Sequence, residues 1–185
     1  MNVSLFSIVP KFPLAINGFL VKFLCQSTNP LIMHVMLIAL FEPDIPQNTG
    51  SMIRLSACMG VPLHIIEPCG FPFDDKRMRR VAMDYYDLAV IVRHASWQKF
   101  LDFSKGKRLV LLSTHASQPI TNFVFEPDDI LLFGRESAGV PDYVRDAANE
   151  RVRIPVRAGA RSLNLAQAAS MVVGEALRQT KGFPQ

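Results

Sequence analysis

The chain has 185 residues, 49% hydrophobic and 19% charged, which fits one globular domain with a sizeable core and excludes a disordered chain. The formal net charge of +4 permits a polyanionic partner without requiring one. Residues 1–35 hold Lys11 and Lys22 and no acid, so of 20 basic and 16 acidic residues the remainder keeps 18 and 16. A nucleic-acid footprint would therefore be a local patch.

Cys25, Cys58 and Cys69 are odd in number and form no C-x-x-C pair, and the four histidines are scattered without ligand spacing. A disulfide framework and a zinc site are both disfavoured, and a reduced, cytoplasmic, metal-free protein is expected.

Residues 1–35 are rich in Phe, Leu, Ile and Pro with little periodicity. The apolar run from Phe12 is interrupted by Asn17 and Gly18 and ended by Lys22, and no small-residue cleavage site follows. No apolar stretch is long enough to span a bilayer, so no membrane partner is expected. The segment reads as an extension that is either poorly ordered or an artefact of start-codon choice. The folded domain is expected over 36–185.

Apolar runs at 36–41, 63–66, 88–92, 108–113 and 130–133 read as buried parallel strands, with a shorter sixth from Arg151 to Pro155. Helical patterns lie between them. Thr49 to Met59 stops at Gly60; Asp74 or Asp75 caps a basic helix through Met83; Ser96 caps another through Phe103. Pro141 fits a first helical position, and Leu163 to Thr180 is the longest helix. This rhythm predicts an α/β domain, a mostly parallel sheet with helices on both faces.

Two common α/β ligand signatures are absent. Gly134-Arg-Glu-Ser-Ala-Gly139 has G-x-x-x-x-G spacing, but Val140-Pro141 stand where a phosphate loop needs Lys and Ser/Thr. No G-x-G-x-x-G follows the first strand. Either glycine alone would only mark a tight turn. Together they bracket Arg135, Glu136 and Ser137 at the carboxyl end of an apolar strand, where open α/β sheets bind ligands.

Three strand-to-helix segments belong together: Glu42-Pro-Asp-Ile-Pro-Gln-Asn48-Thr-Gly50-Ser-Met-Ile-Arg54, Leu132-Phe-Gly134-Arg-Glu136-Ser-Ala-Gly139-Val-Pro141, and Ile154-Pro155 through Arg161-Ser162-Leu163-Asn164. Their order and content resemble the SPOUT class of S-adenosylmethionine-dependent methyltransferases, over residues 36 to about 182. Within it they resemble the small tRNA ribose 2′-O-methyltransferases acting on the wobble nucleotide, a likeness that Leu63-His-Ile-Ile-Glu-Pro68, Gly70-Phe71 and Asp74-Asp-Lys-Arg77 share.

The resemblance implies a C-terminal trefoil knot formed near 108–114, 130–139 and 151–165. It implies a homodimer, tRNA as partner, and methyl transfer from S-adenosylmethionine to the ribose 2′-hydroxyl of a cytidine or a 5-carboxymethylaminomethyluridine at tRNA position 34. Donor-binding positions carried over are Leu112, Gly134, Ile154, Ser162 and Leu163, with Thr114 and Glu136 nearby. Taken singly, Leu112 and Ile154 also read as core, and Ser162 as the cap of the last helix. Catalytic positions are Arg54, Asn48, Ser162 and Asn164. Arginine stays protonated in proteins, so Arg54 reads better as a clamp on a flanking phosphate than as a base.

Lys76, Arg77, Arg79 and Arg80, followed by Arg93 and His94, form one basic group; Arg151, Arg153, Arg157 and Arg161 form another. Of these, Lys76, Arg77, Arg79, Arg80 and Arg161 are the expected RNA contacts. Tyr85, Tyr86 and Trp97 fit either base stacking or core packing. Small residues on the last helix, Ala166, Ala168, Ala169, Ser170 and Gly174, would let another helix approach. Two alternatives remain open: ribose methylation at another tRNA or ribosomal RNA position, and a non-catalytic RNA-binding protein on the same fold.

Overall fold

A computed structural model describes residues 35–185. The expectation for the first 34 residues lies outside the described residues. Seven parallel strands form one sheet in the order β3-β2-β1-β6-β4-β7-β5. They are β1 (Leu37–Phe41), β2 (Leu63–Ile66), β3 (Ile91–His94), β4 (Leu109–Leu112), β5 (Gln118–Pro119), β6 (Ile130–Phe133) and β7 (Glu150–Arg153). The helices are α1 (Pro46–Met59), α2 (Asp75–Ala82), α3 (Trp97–Ser104), α4 (Asp142–Ala147) and α5 (Leu165–Thr180).

Continuous apolar runs suit the central strands because both faces of the sheet are covered. Side chains alternate across the sheet, so Ile38, Leu40, Leu131 and Phe133 point into one core with Met52 and Ile53 of α1, Met78 of α2 and Val172 and Val173 of α5. Leu37, Ala39, Phe41, Ile130 and Leu132 point the other way, against Phe100 of α3 and Val144 of α4. Helices therefore lie on both faces, as the strand–helix rhythm predicts.

Several boundaries differ from the sequence expectation, each for a local reason. Helix α1 begins at Pro46, whose missing N–H costs nothing in a first turn, so Asn48 lies inside that turn rather than before the helix. The third strand runs 91–94 instead of 88–92, because a 3₁₀ turn, Met83–Asp87, follows α2 and leaves Leu88 exposed. Strand β7 ends at Arg153, two residues before Pro155. Strand β5 has no apolar run to betray it; it is a two-residue edge whose Pro119 sits where proline is tolerated. Pro141 is the N-cap of α4, not its first helical residue.

Three stop and start signals act as read. Gly60 ends α1 in the left-handed conformation at φ 65, its N–H reaching Ser56 O. Asp74 caps α2 by accepting from Arg77 N at 2.8 Å, and Ser96 caps α3 by accepting from Lys99 N at 3.3 Å. The last helix departs from the reading: it starts at Leu165, and Asn164, not Ser162, is its N-cap, with Oδ1 accepting from Ala166 N at 2.9 Å. Its Ala168 and Ala169 are buried in their own chain, which leaves Ser170 and Met171 outward. Among the described residues no helix is long and apolar enough to cross a membrane.

Candidate active site

Because every strand is parallel, the loops after β1, β4, β6 and β7 emerge on the same edge of the sheet. They surround a cleft of roughly 890 Å³. That is the size range of a nucleoside-type ligand site, at the carboxyl ends where open sheets bind ligands. Its walls contain Asn48, Leu112, Thr114, Gly134, Glu136, Ile154, Arg161, Ser162, Leu163 and Asn164. Three segments distant in sequence thus meet at one site.

A chain of side-chain hydrogen bonds ties them together. Asn164 Oδ1 is occupied by the backbone N–H groups of α5, so its Nδ2 points away and donates to Asn48 Oδ1 at 2.9 Å. Asn48 Nδ2 in turn donates to Glu136 Oε1 at 2.9 Å. Each amide can face only one way, since a carboxylate accepts and a backbone N–H donates. Glu136 Oε2 accepts from Asp44 N at 3.1 Å. Burial and then the neighbouring Asp44 carboxyl push the Glu136 carboxyl above the usual range. Asp44 moves below it, chiefly through its hydrogen bond with Glu136, with Ser137 donors adding to the effect.

The second segment forms a tight turn. Arg135 N donates to Gly139 O at 2.8 Å and Gly139 N to Arg135 O at 2.9 Å. Gly139 has φ 67, a left-handed geometry that favours glycine. At Gly134 a Cβ would fall 2.5 Å from Gly139 C and 2.7 Å from its O, so only glycine lets the turn close. The cleft wall built this way offers backbone groups near apolar Leu112, Ile154 and Leu163, with the Ser162 and Thr114 hydroxyls nearby. This suits a flat adenine edge and a polar tail, so the residues present fit an S-adenosylmethionine-type donor.

Arg54 lies elsewhere. It is exposed on α1, outside the cleft walls, with its guanidinium carbon 4.5 Å from the Tyr85 ring centroid and Nη2 3.3 Å from the Tyr85 hydroxyl. Tyr85 therefore packs under an arginine. Tyr86 donates to Asp75 Oδ1 at 2.8 Å, and Trp97 packs on Phe41 and Phe100, so Trp97 belongs to the core.

The basic groups also separate. Lys76, Arg77 and Arg80 are exposed on α2. Arg79 pairs with Asp87, and Arg93 pairs with Glu67 and covers Phe73. His94 is no surface cation: it is buried, its Nε2 2.8 Å from His64 Nδ1. Of the second group Arg153 and Arg161 reach the cleft, whereas Arg151 and Arg157 do not line it. The sequence gives Glu42 and Asp44 no role, yet both contact the turn after β6. Two acids in one short loop were the available signal, but their partners lie more than ninety positions away.

The SpoU rRNA Methylase family model matches residues 35–174. A tRNA (cytidine(34)-2′-O)-methyltransferase of Beijerinckia indica is 59% identical over 145 residues, covering 77% of this chain and 91% of its own length. Its counterpart in Escherichia coli K12 is 44% identical over 149 residues, with 80% and 94% covered. A solved structure concerned with 2-OH methylation of C/U34 on tRNA superposes with a TM-score of 0.76 at 35% identity, covering 82% of this chain and 99% of that one. The SpoU methyltransferase AviRb of Streptomyces viridochromogenes, in complex with AdoMet, gives 0.72 at 28% identity, with 81% and 62% covered. With its three motifs joined at one cleft and most of its length matched, the chain belongs to the SpoU rRNA methylase family.

Proposed function

We propose that the protein methylates the ribose 2′-hydroxyl of the wobble nucleotide, position 34, of tRNA, acting on cytidine or 5-carboxymethylaminomethyluridine. The observation that carries the reading is the convergence of all three motifs on one cleft through the Asn164–Asn48–Glu136 chain. The names of the relatives support position 34.

S-adenosylmethionine, when bound, supplies a methyl group activated on a sulfonium. Leu112, Ile154 and Leu163 hold the adenine by apolar contact, while Gly134 admits the donor close to the backbone. Ser162 and Thr114 give hydroxyl contacts, and Glu136 keeps the turn against α1. Asn48 and Asn164 fix the junction between donor and acceptor sides. Arg54 clamps a phosphate beside the target ribose and aligns its hydroxyl. The proton leaves to phosphate or water.

Lys76, Arg77, Arg79, Arg80 and Arg161 hold the RNA backbone, Arg79 by exchanging Asp87 for phosphate. Binding therefore weakens steeply with salt. The segments 108–114, 130–139 and 151–165 form a trefoil knot; their shared position around one cleft and the insertion of β6 between β1 and β4 support this. The enzyme works as a cytoplasmic homodimer, and the outward Ser170 and Met171 of α5 support a helical contact between copies. Residues 36–185 are the catalytic domain.

The test is methylation of total tRNA by purified protein, with the product nucleoside identified by mass spectrometry. 2′-O-methylcytidine or 2′-O-methylated 5-carboxymethylaminomethyluridine at position 34 is the expected product. Methylation at another tRNA position would overturn the assignment.

A further inference from the structure

The loop between β1 and α1 carries two acids, Glu42 and Asp44, for which the reading above has no use. Both reach the turn after β6. Glu42 is nearly buried, adopts φ 45 and pairs with Arg135, whose guanidinium lies 5.7 Å from the Phe41 ring centroid. Asp44 makes the denser contact. Oδ1 accepts from Glu136 N at 3.2 Å; Oδ2 accepts from Ser137 N at 3.3 Å and from the Ser137 hydroxyl; and Asp44 N returns a bond to Glu136 Oε2.

The opposite side of Asp44 is just as constrained. Gly70 N donates to Pro43 O at 2.9 Å. A Cβ on Gly70 would fall 2.7 Å from Asp44 Cβ and 2.9 Å from its Cα. Asp44 is thus held between the segment after β2 and the turn that walls the donor cleft, although it does not line the cleft itself. Ser137 is exposed, so these bonds add little to global stability, but they fix where the turn stands.

We infer that Asp44 is a positioning residue for donor binding: it latches the Gly134–Gly139 turn and aims Glu136 at Asn48, with Glu42–Arg135 as a second, weaker latch. Through Gly70 the same latch registers the segment after β2 against the donor wall. The inference rests on the proposed use of S-adenosylmethionine as donor.

Calorimetric binding of S-adenosylmethionine to the wild type, Asp44→Ala, Asp44→Asn and Ser137→Ala tests it, beside the melting temperature and donor-free tRNA affinity of each. Loss of charge-assisted bonds predicts a donor Kd raised about tenfold or more in Asp44→Ala. Asp44→Asn should fall between, because an amide keeps one acceptor oxygen. Ser137→Ala should have the smallest effect, since both backbone donors remain. Melting temperature and tRNA affinity should barely move. Wild-type donor affinity in Asp44→Ala would overturn the inference, as would a joint fall of donor affinity, tRNA affinity and melting temperature. Absence of donor binding to the wild type would instead defeat the functional reading beneath it.

Discussion

Asn48 and Asn164 stand 116 positions apart in the chain and meet in the wall of the cleft through one 2.9 Å side-chain hydrogen bond that ties the first turn of α1 to the N-cap of α5. Asn164 has two duties, since its Oδ1 also caps α5. The duties separate by substitution. Asn164→Ala should lose the cap, about 1 kcal/mol, together with the bridge. Asn164→Asp keeps a capping oxygen but sets a carboxylate oxygen against Asn48 Oδ1. It should melt close to the wild type and still lose turnover. A double-mutant cycle between positions 48 and 164, read in kcat/KM, should show coupling of roughly 0.5–3 kcal/mol. Additive effects would break the functional link.

Arg54 and Tyr85 form the other joint. Arg54→Ala should keep donor affinity and lose about a hundredfold or more in single-turnover rate, as removal of a preorganised cationic contact does. Tyr85→Phe keeps the ring beneath the guanidinium and loses only the hydroxyl bond, so its loss should be small. Tyr85→Ala removes both supports and should fall between Tyr85→Phe and Arg54→Ala. Arg54→Lys should not rescue, because an ammonium lacks the planar fork.

Gly134→Ala tests the close approach of the turn. Its Cβ would meet backbone atoms of Gly139, which cannot rotate away, so the turn must open. We expect a loss of stability of about 1–3 kcal/mol and weakened donor binding. Gly60→Ala is the control: strained by φ 65 but with nothing within 4 Å of the new Cβ, and remote from the cleft. It should cost stability without altering donor affinity.

Acid should destabilise the fold through the His64–His94 pair. Burial, reinforced by the charges of His94 and Lys107, lowers His64 from 6.5 to about 4, and burial lowers His94 as well. The folded state therefore resists a proton that the unfolded chain accepts. Stability is fully present above the unfolded value of about 6.5, declines as pH falls, and levels off below about 4. For His64 alone the decline between pH 7 and pH 5 is about 2 kcal/mol. Urea midpoints at the two pH values measure it, and His64→Gln should flatten the difference.

Strands buried on both faces of the sheet were legible in the sequence because they are mostly apolar: Leu37–Phe41 and Ile130–Phe133 fall within or coincide with unbroken apolar runs, and Leu63–Ile66 is broken only by His64. Caps at Asp74 and Ser96 were equally local. Strand β3 was misplaced because Leu88 and Ala89 continue an apolar run that a 3₁₀ turn takes out of the sheet. Strand β5 was invisible because its two residues owe their pairing to β7 alone. The cleft's membership followed from motif order, but its wiring did not. Whether Asn48 touches Asn164, or Asp44 touches Ser137, depends on strand order, which periodicity does not encode. His94 follows Arg93 in the basic group yet is buried while Arg93 is exposed, because neighbouring strand residues face opposite sides.

The central claim is that one ribose hydroxyl, that of nucleotide 34, receives the methyl group. The most direct measurement compares methyl incorporation by the purified protein into two tRNAs identical except at that ribose, one carrying a 2′-hydroxyl and the other 2′-deoxy. Incorporation into the first and none into the second is the predicted result. Equal incorporation into both would contradict the account.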